Sequence, residues 1–140
     1  MKKRFLPLFL VVMLALSLCC VTALAVESYA SITLGGMTVT AASGSKQGEI
    51  KISYDVKASG IADKVGISSI KIYKSNGAYV TTISGSTENG LIRTNAIRHK
   101  SSYIYNGTSG TSYYAVVTVF ADIGSDSDSI EVTTSTAKAP

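Results

Sequence analysis

Glu49-Ile-Lys-Ile-Ser-Tyr-Asp-Val-Lys-Ala58 alternates without a break. Ile50, Ile52, Tyr54, Val56 and Ala58 fall on one face of an extended chain, and Glu49, Lys51, Ser53, Asp55 and Lys57 on the other. Successive side chains of a strand point to opposite faces, so this pattern specifies a half-buried antiparallel strand with one wet face.

The same period of two recurs on both sides of that run. Ile32 and Leu34, then Met37 and Val39, form a broken strand within Ser31 to Thr40. Gly35-Gly36 interrupts it and predicts a bend or bulge that lets the strand switch sheets. Ile67 to Lys74 turns Ile70 and Ile72 inward and runs into Ser75-Asn76-Gly77, the dipeptide of a type I′ hairpin, with Ala78 to Ile83 returning. Residues 84–102 show little pattern, and Arg93, Arg98, His99 and Lys100 are expected there in a loop. A strand at Tyr103 to Tyr105 ends at Asn106-Gly107. Tyr113 to Ala121 is apolar on both faces, as expected of a central, covered strand. Gly124 turns the chain, and Ile130, Val132 and Thr134 form the last strand. About seven short strands without a helical period predict an all-β fold, a single antiparallel β-sandwich over residues 26–136.

The N-terminus carries a different signal. Lys2, Lys3 and Arg4 precede a charge-free apolar run, Phe5 to Val21, and Ala23-Leu24-Ala25 supplies small residues where a signal peptidase cuts. Residues 1–25 therefore read as a signal peptide removed after Ala25, with no membrane span left, and the short basic start points to a bacterial host. Leu18 before Cys19-Cys20 argues against a lipoprotein site. Removing 25 of 140 residues leaves 115 and takes both cysteines away. Taking Lys2, Lys3 and Arg4 from the 13 basic residues leaves ten against nine acidic ones, a net charge of +1. That balance lacks the basic footprint of a nucleic-acid binder. The polar C-terminus, with residues 137–140 at its end, reads as a disordered tail.

Gly110-Thr111-Ser112-Tyr113, followed by Ala115, Val117 and Ala121, resembles the strand before last of fibronectin type III domains. Gly124, Ser127, Ser129, Val132, Thr133 and Thr134 resemble the last strand of that family, Ile50 to Tyr54 its second, and Ile70 to Tyr73 its third. The resemblance also extends to short exported Gram-positive proteins with a Tyr-Tyr-Ala-Val-Val-Thr-type strand. It implies a fibronectin III or immunoglobulin-like sandwich in which Tyr113 is the corner tyrosine, its hydroxyl tied to upstream backbone, and Tyr54 stands where the family usually has Trp. Such a fold implies no particular activity.

Chemistry is sparse. A Ser-His-Asp unit needs a histidine, and His99 is the only one, with no nucleophile elbow around any serine. One histidine and no cysteine cannot close a zinc site. Asp122, Asp126 and Asp128, with Glu131, could offer oxygens to a hard cation, although the ordered calcium-loop pattern is absent and a solvated hairpin turn is the plainer reading. Arg93, Arg98, His99 and Lys100 form the one basic cluster, suited to an anionic cell-envelope polymer or an acidic surface protein. Tyr103 and Tyr105 share a strand face that could stack on sugars, but packing is the ordinary role. The Asn106-Gly107-Thr108 sequon matters only in a host that glycosylates such sites.

The expectation is thus a secreted, non-catalytic binding or structural module at or near a bacterial surface, with no cofactor. The alternative is a self-assembling extracellular β-protein that pairs edge strands, and a secreted hydrolase is a distant third.

Overall fold

The computed structural model describes residues 33–140. The expected signal peptide over residues 1–25, the expected cut after Ala25, both cysteines and the expected strand start at Ser31 and Ile32 lie outside the described residues.

The described chain is all-β and antiparallel. Its strands are β1 (Leu34–Ser43), β2 (Glu49–Lys74), β3 (Tyr79–Ser84), β4 (Ile92–Asn106), β5 (Ser112–Ile123), β6 (Asp126–Thr133) and β7 (Ala137–Lys138). They join in one curled sheet in the order β1-β2-β5-β6, with β3 and β4 on β2 and β7 on β5. No helix of the described residues is long and apolar enough to cross a membrane.

β2 organises everything else. At 26 residues it far exceeds the usual strand of about 3–10. Its first half, Ile50 to Lys57, lies between β1 and β4. Its second half, Lys64 to Lys74, pairs with β5, while Ser69 to Tyr73 pair with β3 on the other edge. The inward positions are even at Ile50 to Ala58 and Ala62, odd at Val65 and Ile67, and even again at Ile70 and Ile72. A register shift against β5 between Ile67 and Ser69 accompanies the second change, and one against β4 between Lys57 and Ala62 precedes the first. A bulge inserts one residue and moves every later side chain to the other face. This is why the sequence reads as two strands where the chain forms one bent one. Gly66 sits at the bend because a Cβ there would lie 2.2 Å from the Leu91 carbonyl oxygen, which Ile67 holds at 2.8 Å from its amide.

The alternation of Glu49 to Ala58 is realised in full: the five even residues are buried, and Lys51 and Lys57 are exposed. Facing them across the core stand Tyr113, Ala115, Val117, Val119 and Ala121 of β5. Each fully buried Ile or Val here contributes about 1.5–3 kcal/mol relative to exposure. Val117, between β2 and β6, shows that β5 is central as expected. Its second face, Tyr114, Val116 and Thr118, is half-buried, since only cross-strand side chains cover it.

Four expectations need correction. Gly35-Gly36 does mark a bulge, the register shift between Leu34 and Gly36, but β1 continues along β2 and does not change partner. At Asn76-Gly77 only the glycine has positive φ, 86°. Gly77 donates to the Lys74 carbonyl and Lys74 to that of Ala78, which makes a three-residue loop closed by a left-handed glycine, not a type I′ turn. The stretch holding Arg98, His99 and Lys100 is strand, not loop. Its pattern is obscured because the inward position passes from Ala96 to His99, beyond the left-handed Asn95 (φ 49°).

The tail is ordered as well. β7 pairs with Ser112 and Tyr113, Ala139 exchanges bonds with Thr111 and Gly110, and the Pro140 carbonyl accepts from Gly48. Ala137 and Ala139 are small enough to slot inward, and the backbone supplies the rest.

Candidate functional site

The wet face of β2 becomes a polar surface only through its neighbours. Register places Thr38, Asp55 and Lys100 in one row across β1, β2 and β4. Thr40, Ser53 and Ser102 form the next row, and Ala42, Lys51 and Ile104 the one after. The first two rows, together with Lys51, line an open depression of about 450 Å³. At the other end of the face Lys57 stands directly opposite Arg98.

Like charges opposite one another destabilise a ladder. Arg98 escapes by turning to Asp55, donating from Nε to Oδ1 at 2.6 Å and from its second nitrogen to Oδ2. That hydrogen bond holds the Asp55 carboxyl below its ordinary value and raises the Arg98 guanidinium. Lys51, Lys57 and Lys100 form no ion pair among the described residues. Among the described residues four cations therefore share one face with two carboxylates, Asp55 held by Arg98 and Glu49 at the start of β2, which accepts the Lys46 amide. Two of them, Lys51 and Lys57, come from the strand that decided the fold, and the sequence reading missed their partnership with Arg98 and Lys100. Only cross-strand register reveals it.

The outer face of β3-β2-β5-β6 differs. Lys71 donates to Glu131 at 2.8 Å, and Ser69 to Thr118 at 3.0 Å, so its charges are matched within the face. Tyr73 stacks on Tyr114 (centroids 5.2 Å, 10° between planes) and meets Tyr79 edge-on. Tyr103 and Tyr105, whose strand suggested sugar stacking, instead pack against the core, with Tyr105 edge-on to Tyr113.

His99 does not belong to the basic cluster. It points to the opposite side from Arg98 and Lys100 and is 9% exposed. Its Nε2 lies 2.8 Å from the Gly90 carbonyl, which also accepts from the Tyr54 hydroxyl at 2.9 Å. A carbonyl only accepts, which puts the proton on Nε2. Burial raises the Tyr54 phenol above its ordinary 10.0, so it stays a donor. Tyr54 and His99 thus clamp the end of the β3–β4 connection, and the other ring nitrogen of His99, Nδ1, is buried with no hydrogen-bond partner among the described residues. Arg93 is distant too: it pairs with Val65, five residues or roughly 17 Å along β4 from Arg98.

The acidic residues at the β5–β6 turn are divided between faces. Asp122 opposes Ser127 and accepts from its hydroxyl, while Asp126 and Asp128 oppose Ile123 and Ala121 on the other face. Asp128 accepts the Thr33 amide at 3.0 Å. No group of three potential metal ligands exists among the described residues.

Tyr113 is 2% exposed and its hydroxyl accepts the Thr108 amide at 2.9 Å, five residues upstream. Gly107 lies under the ring, where a Cβ would come within 2.7 Å of it.

No protein-family model and no curated protein matches the chain. Among solved structures it is similar to a family 76 glycoside hydrolase from a bovine Bacteroides thetaiotaomicron strain, at 17% identity and a TM-score of 0.42, over 75% of this chain and 20% of that one. It is also similar to β-glucuronidase 3 of Bacteroides uniformis, at 13% identity and a TM-score of 0.38, over 76% of this chain and 12% of that one. The chain spans a fifth or less of the length of either enzyme, and the likeness carries no argument about activity.

Proposed function

We propose that this chain is an exported, non-catalytic binding module of the fibronectin III or immunoglobulin-like sandwich kind, acting at a bacterial surface on an anionic partner. One observation carries the binding reading. A domain expected to have a net charge near +1 places Lys51, Lys57, Arg98 and Lys100 together on one exposed face, while its other outer face pairs Lys71 with Glu131. Arg98 is held by Asp55, but Lys51, Lys57 and Lys100 have no ion pair among the described residues and repel one another, so their gathering favours an external anion.

The sandwich reading is supported by the hydrogen bond of the Tyr113 hydroxyl to the upstream Thr108 amide. Export rests on the Lys2 to Ala25 leader pattern.

The test is co-sedimentation of the purified protein with envelopes of its host across a salt series. Saturable binding that weakens as the Debye length shrinks from about 10 Å at 0.1 M salt is the expected result. Sedimentation that ignores salt, or none at any salt, removes the proposal.

A further inference from the structure

We infer that the depression between β1, β2 and β4 is a subsite for an acidic polysaccharide, one bearing carboxylates on its sugars. The inference rests on the binding reading above and names the partner. Two ammonium groups without an ion pair among the described residues bracket the depression: Lys51 and Lys100, the latter opposite Asp55, lie at levels four residues apart, about 13 Å along the strand direction. Between them runs a row of three hydroxyls from three strands, Thr40, Ser53 and Ser102. Hydroxyls both donate and accept, which matches the hydroxyls of a sugar, whereas a chain of bare phosphates would use their donors alone.

The choice of carboxylate over phosphate follows from what the face lacks. Phosphate sites usually add to their lysines a bidentate arginine fork or free backbone amides at helix N-termini or turns. Here the Arg98 fork already holds Asp55, and the amides of β2 at this level are committed to ladders on both sides. Two lysines and a hydroxyl row remain. The face also displays the recognition it offers, since the Asp55 carboxylate sits in a row between Thr38 and Lys100. Arg98 is thus a positioning residue that fixes Asp55, while Lys51 and Lys100 meet the ligand.

Calorimetric titration of the purified protein tests this with four probes: polygalacturonate, neutral dextran, polyglutamate and inorganic polyphosphate. Polygalacturonate is expected to bind, dextran not at all, and the two non-sugar polyanions about tenfold more weakly. Lys51→Gln with Lys100→Gln should weaken polygalacturonate at least about tenfold, and Ser53→Ala with Ser102→Ala about fivefold while leaving polyglutamate unchanged. Equal affinity for polygalacturonate and polyglutamate or polyphosphate overturns the assignment and leaves a plain polyanion surface. Binding of no probe by a protein that still sediments with envelopes overturns this inference and spares the binding module. Failure of both removes the two together.

Discussion

The Arg98 guanidinium grips the Asp55 carboxylate across the β2–β4 ladder and in doing so withdraws itself from any external anion. An exposed pair of this kind contributes little to folding. Its consequence is electrostatic: the face keeps its lysines free and its arginine occupied.

Asp55→Asn is therefore expected to strengthen binding of acidic polymer, by about threefold, and to steepen its salt dependence, because it releases the Arg98 fork and removes the carboxylate beside Lys100. Arg98→Gln leaves that carboxylate bare and should weaken binding. Titrations of both variants at two salt concentrations check the opposite signs.

Acid stability has a defined origin. The hydrogen bond from Arg98 holds Asp55 below its ordinary 3.8, and that from Lys71 holds Glu131 below its ordinary 4.5. Each carboxyl protonates more readily unfolded than folded, so its contribution is complete above the unfolded value and fades as pH falls through the lowered folded one. The double variant Asp55→Asn, Glu131→Gln should melt slightly lower at pH 7, where that contribution is complete, and lose less on acidification, so that the two proteins converge below about pH 4. Parallel acid limbs for the two proteins would count against both pairs.

Tyr54 and His99 share one acceptor, the Gly90 carbonyl. Tyr54→Phe or His99→Leu alone leaves that oxygen one donor, whereas the double variant leaves it none. Denaturant unfolding should show the double loss exceeding the sum of the single losses by about 1 kcal/mol. Protease cleavage in the stretch 85–91 should rise in step.

The last four residues behave as structure. Deleting residues 137–140 removes the β7 pairing, the Ala139 and Pro140 backbone bonds and the Lys138 carbonyl that Ser43 Oγ reaches at 2.6 Å. At about 1 kcal/mol for each bond, a loss of at least roughly 4 kcal/mol is expected in chemical denaturation. An unchanged midpoint would restore the tail to disorder.

Legibility in the sequence follows the regularity of the backbone. Glu49 to Ala58 has no bulge, and each of its ten side chains faces as its position implies. Residues 92–102 are strand as well, yet the left-handed Asn95 and the change of inward position before His99 destroy the alternation by which a strand is recognised. His99 was misplaced because its burial depends on a carbonyl nine residues earlier and a phenol on another strand. Half of the candidate site was legible for the same kind of reason. Arg98 and Lys100 stand together in sequence, but Lys51 and Lys57 join them only through register, which the sequence does not print.

The central claim is that the outer face of β1, β2 and β4 receives an acidic polymer, and NMR titration of the isotope-labelled protein with polygalacturonate tests it most directly. Shifts concentrated at Thr40, Lys51, Ser53, Lys100 and Ser102 and suppressed by salt are the result the account predicts. Shifts gathered at Tyr73, Tyr79 and Tyr114, or no shifts at saturating polymer, would contradict it.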